Sequence, residues 1–291
     1  MPSELVADLS HNALLAVTGD DAPAFLQAQL TNDVASLEPG AAQWNGWCSA
    51  KGRLLATFLL VRRGEEFLLV LPTELAAPIA KRLAMFVLRS KVKIADVSRQ
   101  YAQRGILGAR DEPRPMRVLE KDGAIVVGLE PGRFIALMPP ENALPANTPV
   151  ETWELASVRS GVPTIVAATQ EAFVPQMANF DLVGGVSFKK GCYPGQEIVA
   201  RTQYRGILKR RMALAHLDGS QRPQPGQSVY SSAFGDQAAG TIVNAAPAPE
   251  GGFDLLVVAQ VEGLARRDLR WNAPDGPALE ILQHPPLANA S

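Results

Sequence analysis

Cysteine and histidine are scarce in this sequence of 291 residues, which contains only Cys48, Cys192 and three histidines. The two cysteines lie far apart and form no Cys-x-x-Cys pair, so the sequence predicts neither a zinc site nor a disulfide framework. Unpaired thiols are typical of a reducing cytosol. Three histidines are too few for a histidine-rich metal centre, and no metal site is predicted.

Long hydrophobic runs and excess charge are lacking too. The longest apolar run, residues 54–61, falls well short of the ~20 residues that span a bilayer. The N-terminal residues have no basic segment followed by an apolar core, so they do not resemble a signal peptide. The formal net charge is −1, which gives no overall attraction to nucleic acid or anionic lipid. We therefore expect a soluble, cytoplasmic protein without membrane contact.

The composition indicates a globular protein rich in turns. The length suits two or three domains, and 47% of the residues are hydrophobic. The 24 glycines and 23 prolines favour turns and β structure. No repeat of 20–50 residues is visible, so a repeat architecture is not predicted.

Strands and helices are predicted along most of the chain. A strand at 13–18 precedes a helix that Asp20 or Asp21 caps and that has Pro23 in its first turn. A proline- and alanine-rich stretch at 139–149 predicts a connection between subdomains. After residue 211, short strands between Gly and Pro turns predict a small all-β sandwich or barrel. Further predictions are hairpins at 54–61/67–71 (five-residue loop) and 124–129/133–138, strands at 92–97 and 105–109, and helices at 73–89 (capped by Thr73), 152–160 and 197–203.

Basic residues are concentrated between residues 185 and 215, where Glu197 is the only acid. This excess of positive charge predicts a surface or cleft for an anionic partner, and the alternative is a solvated basic face. The seven basic residues are Lys189, Lys190, Arg201, Arg205, Lys209, Arg210 and Arg211.

Cys192 lies in this basic stretch, in a predicted tight turn between Gly191 and Gly195. Positive charge from Lys189 and Lys190, and the start of the following helix, favour the thiolate form. We therefore expect an exposed, reactive or ligating thiol. The alternative is a buried structural cysteine, the usual fate of an unpaired thiol. No histidine lies within twenty residues, so a Cys–His dyad has no support from proximity in the sequence.

Polar and aromatic residues suggest how a planar heterocycle would be held. Gln196 and Glu197 form an adjacent amide and carboxylate, which suit the N–C–N edge of a pterin or purine. Alternatively, Glu197 caps a helix or pairs with Arg201 four residues later. For Trp153 in its predicted helix, core packing is the default interpretation.

The segment KGCYPGQE, residues 190–197, resembles the signature of the YgfZ-type folate-binding proteins, relatives of the glycine-cleavage aminomethyltransferases. Further similar positions follow in the same order along the chain. They are Thr18–Asp20, Phe25–Gln27, Gln29–Val34, Lys51–Arg53, Gly161, Pro163, Phe173, Pro175, Gln176 and Asn179.

The resemblance implies an α+β fold: a three-domain cloverleaf like the glycine-cleavage T-protein, with a C-terminal β-barrel. We expect a folate-binding region at 1–205, made of two intertwined subdomains, and the barrel at 206–291. The resemblance also implies a protein that binds tetrahydrofolate or a derivative. Such a protein assists iron–sulfur cluster assembly or repair, including for tRNA-thiolating enzymes. Its partners would be iron–sulfur client or assembly proteins. Cys192 is the key residue implied, and the expected folate-binding residues are Trp153, Lys190, Tyr193, Gln196, Glu197, Arg201 and Arg205.

Two departures from the family pattern bear on function. Ala56 stands where the aminomethyltransferases have a catalytic aspartate, and an alanine provides neither an acid nor a base. A folate-dependent one-carbon transferase is therefore the second hypothesis. Asn12 stands where one branch of the family has a folate-contacting tryptophan. The third hypothesis is an RNA-binding tRNA-modification factor, in which Tyr193 and Tyr204 stack on bases.

Overall fold

The structure is a computed structural model that describes residues 4–108, 112–205 and 208–283, except for the side chain of residue 205. These residues form a mixed fold in which strands outnumber helices, which confirms the α+β class. The strands are β1 (Leu5–Asp8), β2 (Asn12–Thr18), β3 (Ala41–Cys48), β4 (Leu54–Arg63), β5 (Glu66–Pro72), β6 (Lys93–Asp96), β7 (Ala102–Leu107), β8 (Val118–Lys121), β9 (Ala124–Glu130), β10 (Arg133–Met138), β11 (Arg210–Leu217), β12 (Ser228–Tyr230), β13 (Gly240–Pro247), β14 (Phe253–Gln260), β15 (Arg270–Trp271) and β16 (Glu280–Gln283). The helices are α1 (Ala22–Gln29), α2 (Thr73–Ala84), α3 (Val150–Arg159), α4 (Gln196–Arg205) and α5 (Val261–Arg266).

The chain divides into two compact units, each made of several segments. The first unit comprises Met1–Cys48, Ala56–Trp153 and Gly184–Pro194, and the second comprises Ser49–Leu55, Glu154–Val183 and Gly195–Ser291. The division therefore falls inside KGCYPGQE. The expected domain boundary between residues 205 and 206 touches residues outside the described ranges and stays a prediction.

The first unit contains two five-stranded sheets, in the orders β1-β7-β10-β9-β8 and β3-β4-β5-β2-β6. Alternate residues of each strand point to one face, and the apolar faces of both sheets contribute to one core. Strand β4 is buried from Leu54 to Val61, which explains its continuous apolar run. The core includes Leu14, Leu59, Leu68, Ile125, Leu137 and Trp153.

The second unit contains a six-stranded sheet in the order β15-β12-β13-β14-β11-β16. Leu255, Val257 and Ala259 alternate along β14 and pack into its core with Trp271. This sheet confirms the predicted β-rich C-terminal region. The order places β15 and β16 at its two ends, and closure into a barrel stays a prediction.

Three local predictions are wrong. Helix α2 ends at Ala84 rather than Arg89, because Leu83 is its last buried side chain and Leu88 adopts a left-handed conformation with φ of 46°. The first hairpin has a two-residue loop, since β4 extends to Arg63 and β5 begins at Glu66. Neither Asp21 nor Thr73 caps its helix: the Asp21 carboxylate accepts a hydrogen bond from the backbone N–H of Lys91 at 2.7 Å, and the residue before α2 is Pro72.

Several other predictions are confirmed. Strand β2, the hairpin of β9 and β10, and helix α4 lie where the sequence places them, within one or two residues. Within the described ranges, no helix has the length and apolar character needed to cross a bilayer.

Candidate functional site

The KGCYPGQE segment begins with a buried lysine. Lys190 is only 8% exposed, and its Nζ donates hydrogen bonds of 2.5 Å to the carbonyl oxygens of Gln27 and Leu30. Both acceptors lie at the carboxyl end of α1, where helix carbonyls lack partners within the helix. Lys190 therefore caps this helix from a distant part of the sequence. Burial lowers the pKa of Lys190 to about 8, against an opposing effect of the Asp33 carboxylate.

Tyr193 is the second buried residue of the segment. It is 6% exposed, and the Lys190 ammonium lies 5.1 Å from the centre of its ring, within the range of a cation–π contact. Burial raises the pKa of Tyr193, and the nearby Cys48 thiol adds to the rise. Cys48 is itself buried, which raises its pKa to about 12 and keeps the thiol protonated at neutral pH.

Cys192 lies between these two anchors and is exposed, as is Gly191. The segment thus alternates between buried Lys190, an exposed pair and buried Tyr193. This is the geometry of a short loop that is fixed on both sides and presents its thiol to solvent.

The segment that leads into this loop is bonded to the chain that follows α1. The Thr31 hydroxyl donates to the carbonyl of Gly185 at 2.7 Å, and the backbone N–H of Ser187 donates to the carbonyl of Thr31 at 2.9 Å. The Asn32 side-chain amide donates to the carbonyl of Gly184 at 2.7 Å. These bonds give a structural reason for Thr31 and Asn32 to be among the positions shared with the family.

Gln27, in the last turn of α1, stabilises the segment that follows this helix. Its Oε1 accepts from the backbone N–H groups of Val34 at 2.7 Å and Ala35 at 3.1 Å, and its Nε2 donates to Asp33 at 3.0 Å. Gln27 is among the positions similar to the family, but its hydrogen bonds to this segment are not predictable from the sequence. Only the resemblance itself pointed to Gln27.

The rest of the segment lies in the second unit, where Gly195 precedes α4. A Cβ atom on Gly195 would lie 2.4 Å from the Ser49 carbonyl oxygen and 2.5 Å from the Cα of Gly52, and the φ of Gly195 is +80°. Only glycine fits this position without rearrangement. The close contact fixes the start of α4 against the turn at residues 49–53.

Helix α4 carries the expected ligand-binding side chains. Val199 is buried, and its carbonyl accepts a hydrogen bond of 2.7 Å from the buried Gln176 side chain. Glu197 and Arg201 are exposed, and among the described residues neither side chain has a hydrogen-bond or ion-pair partner. They do not form the pair that their spacing allowed, so both groups are available to a ligand. Gln196 is half-buried, and the side chain of Arg205 lies outside the described residues.

Trp153 belongs to the core of the first unit. It is 5% exposed, its ring lies where a Cβ on Gly105 would stand, and the Arg133 guanidinium lies 5.4 Å from its centre. This packing accounts for the tryptophan as a core residue, and its contact with folate stays a prediction.

The basic stretch is less exposed than its composition suggests. Lys190 is internal, and Arg211 pairs with the Asp181 carboxylate at 2.9 Å. Lys189, Arg201 and Lys209 remain exposed. Positive surface charge therefore comes from a subset of the seven residues.

Two observations limit the chemistry. Ala56 is fully buried in β4, so no carboxylate stands at the position of the aminomethyltransferase aspartate. In the part of the chain that the structure describes, no three His, Cys, Asp or Glu side chains are grouped closely enough to hold a metal ion.

Known proteins are similar in sequence to most of this chain. Residues 3–121 match the GCVT N-terminal domain. The tRNA-modifying protein YgfZ of Vibrio vulnificus is 32% identical over 247 residues, which cover 79% of this chain and 75% of the relative. The YgfZ protein of Photobacterium profundum is 34% identical over 254 residues, covering 80% and 76%.

The chain belongs to the YgfZ family. A solved structure also shares the fold: aminomethyltransferase T of the glycine cleavage system from Bartonella henselae, with a TM-score of 0.74 over 96% of this chain and 84% of that one. At 14% identity, this likeness shows the fold alone. The family assignment confirms the resemblance to the YgfZ proteins, and the role of the KGCYPGQE segment stays a prediction.

Proposed function

We propose that this protein binds tetrahydrofolate or a derivative and assists iron–sulfur cluster assembly or repair, including for enzymes that thiolate tRNA. The observation that carries the proposal is the exposed Cys192 held between buried Lys190 and Tyr193. An exposed thiol in a positively charged setting suits sulfur chemistry better than packing. The proposed partners are iron–sulfur client or assembly proteins in the cytoplasm.

The exposed groups of α4 support the folate part of the proposal. The Glu197 carboxylate would accept hydrogen bonds from the pterin edge, and a basic side chain such as Arg201 would meet the anionic glutamate tail. Gln196, Arg205, Tyr193 and Trp153 remain proposed ligand contacts. Lys190 was expected among them, but its ammonium group already binds two carbonyl oxygens.

The finer architecture belongs to the same proposal. We infer a three-domain cloverleaf around the folate site, with the sheet of the second unit closing into a C-terminal β-barrel at residues 206–291. The two five-stranded sheets of the first unit support two intertwined subdomains within residues 1–205.

Calorimetry tests whether the protein binds tetrahydrofolate. Titration of the purified full chain with tetrahydrofolate, kept reduced and anaerobic, should give saturable one-to-one binding. Heats no larger than dilution at millimolar tetrahydrofolate would remove folate from the proposal.

One-carbon transfer is the alternative that Ala56 disfavours. Reconstituted glycine cleavage with this chain in place of the aminomethyltransferase should show no turnover above background. Turnover would restore that hypothesis.

Direct RNA contact is favoured by one observation, the exposure of Tyr204 (70%) and Arg201 on α4. Stacking and phosphate contacts would give affinity for tRNA that falls steeply with salt. We rank it below the folate proposal because the net charge of the chain is −1.

A further inference from the structure

Helix α1 lacks the usual features that complete a helix at its carboxyl end. Its last turn has no basic residue, and its C-cap is Leu30 in an extended conformation rather than a left-handed glycine. The backbone carbonyls there carry the negative end of the helix dipole. A cation is therefore expected, and Lys190 provides one from far along the chain.

The Lys190 ammonium is enclosed by protein groups. Two carbonyl oxygens lie at 2.5 Å, the Tyr193 ring lies beside it at 5.1 Å, and the Asp33 carboxylate is close enough to act on its charge. The side chain is 8% exposed, so little of it is left for a ligand to reach. These contacts explain why a charged residue is buried here, because two of its N–H donors bind carbonyl oxygens.

The position of Lys190 in the sequence gives this cap a consequence for Cys192, two residues later. We call residues 190–193 the thiol loop and propose that Lys190 is its positioning residue. The Lys190 ammonium group fastens the thiol loop to the carboxyl end of α1 and so holds Cys192 at the surface. Tyr193 fixes the other side of the loop. The inference deepens the proposed role of Cys192 and replaces a ligand-binding role for Lys190.

Hydrogen exchange on the full chain tests the fastening. Lys190→Met keeps much of the side-chain volume and removes the ammonium group. Loss of both bonds should speed amide exchange by about tenfold or more in the last turn of α1 and in residues 188–193. Lys189→Met is the matched control, since Lys189 is exposed and the charge change is identical. It should change those rates less than twofold.

A spectroscopic signature separates positioning from a general loss of stability. With ¹³C-labelled cysteine the protein gives two cysteine signals, from Cys48 and Cys192. Under native conditions the Cys192 signal should shift or broaden more in Lys190→Met than in Lys189→Met, which removes the same charge without releasing the loop. Lower global stability alone does not move a native-state signal. If Lys190→Met does not fold, Lys190→Gln, which keeps an amide donor, is compared in the same way.

Tetrahydrofolate titration of the same variants decides between the two roles. Unchanged exchange rates and an unmoved Cys192 signal, with or without loss of tetrahydrofolate binding, would overturn the positioning role. Faster exchange with a moved Cys192 signal supports it, even if the wild-type protein binds no folate and the proposed function fails.

Discussion

The KGCYPGQE segment contains two kinds of residue that differ in what surrounds them. Lys190 and Tyr193 are buried, and the protein supplies their contacts. Cys192 and Glu197 are exposed, and Glu197 has no partner among the described residues. The comparison shows that one short segment contains residues that fix a loop by packing and residues whose side chains face solvent. Changes to the first kind should act on stability, and changes to the second on function.

Gly191 and Gly195 of the same segment also differ in their surroundings. A Cβ on Gly191 would meet no atom within 4 Å, whereas one on Gly195 would clash with backbone atoms of residues 49 and 52. Glycine is therefore required by packing at one position and tolerant of a side chain at the other.

Among the exposed residues, Glu197→Ala should have the largest effect on ligand binding. If the carboxylate pairs with the pterin in a desolvated site, its loss should weaken tetrahydrofolate binding by about 2–5 kcal/mol, measured by calorimetry. Gln203→Ala, at another exposed position of α4, is the control. Equal affinity in both variants would place the pterin elsewhere. The free energy of unfolding should hardly change in either, because both side chains are exposed.

Gly195→Ala should have the next largest effect, on stability. The added Cβ meets backbone atoms at 2.4–2.5 Å, and the φ of +80° is unfavourable for alanine. Together these should lower the free energy of unfolding by about 2–4 kcal/mol, measured by urea denaturation. Gly191→Ala should stay within about 0.5 kcal/mol of wild type, and similar losses in both variants would contradict the contrast between the two glycines.

Replacing Lys190 with methionine should have a smaller effect on the free energy of unfolding, and this effect should depend on pH. Its pKa is lowered from 10.5 to about 8, so above pH 8 the unfolded chain binds a proton that the native protein has released. Stability relative to Lys190→Met should therefore rise with pH, by about 2 kcal/mol between pH 7 and 9.5. The window ends below the pKa of about 10 at which tyrosines are half ionised in the unfolded chain, and both proteins contain the same tyrosines. A difference between the two proteins that stays constant with pH would contradict a buried ammonium group.

His216 in the second unit should show the smallest effect and the opposite sign. Its Nδ1 lies 2.8 Å from the carboxylate of Asp254, which is buried and also binds Arg159 at 2.6 Å. The hydrogen bond to Asp254 raises the pKa of His216. The stabilisation is thus complete below the usual pKa of 6.5 and is lost as the pH rises through the raised value.

The pH dependence of unfolding checks this. His216→Gln should cost more stability at pH 5.5 than at pH 8.5, with a difference below about 1 kcal/mol. A larger cost at pH 8.5 would show that the imidazole is stabilised in its neutral form.

The sequence predicted strands that form apolar runs between turn residues and missed strands without such a run. Strand β2 and the β9–β10 hairpin follow from apolar runs between turn residues, but β3 contains Gln43, Asn45 and Gly46 and gives no strand pattern. Phe86 and Val87 extended the predicted α2 because apolar residues suggest burial, yet Phe86 is exposed and Val87 is only partly buried. Local pattern alone does not reveal which apolar residues the tertiary structure covers.

The exposure of Cys192 was predictable from the sequence, but the contacts that fix the loop around it were not. The glycines and lysines around Cys192 indicated a loop with an unusual thiol. The contact of Lys190 with Gln27 and Leu30 joins residues 163 and 160 positions apart. A single sequence does not show which of its distant residues meet, so this contact of Lys190 was not predicted.

Genetic complementation tests the central claim. The claim is that the KGCYPGQE segment forms a loop and that the Cys192 thiol on it is the group required for function. Cells lacking the protein, supplied with Cys192→Ser, should show no recovery of iron–sulfur enzyme activity or of tRNA thiolation. A serine hydroxyl is similar in size but a far weaker nucleophile at neutral pH. Cys48→Ala is the control, since Cys48 is buried and alanine, unlike serine, adds no hydroxyl to the core.

The two variants give opposite expected results. Cys192→Ser should accumulate, unfold and bind tetrahydrofolate like the wild type while failing to complement, and Cys48→Ala should complement. Full recovery of iron–sulfur enzyme activity by Cys192→Ser would contradict the account, because the exposed thiol would then have no role in function.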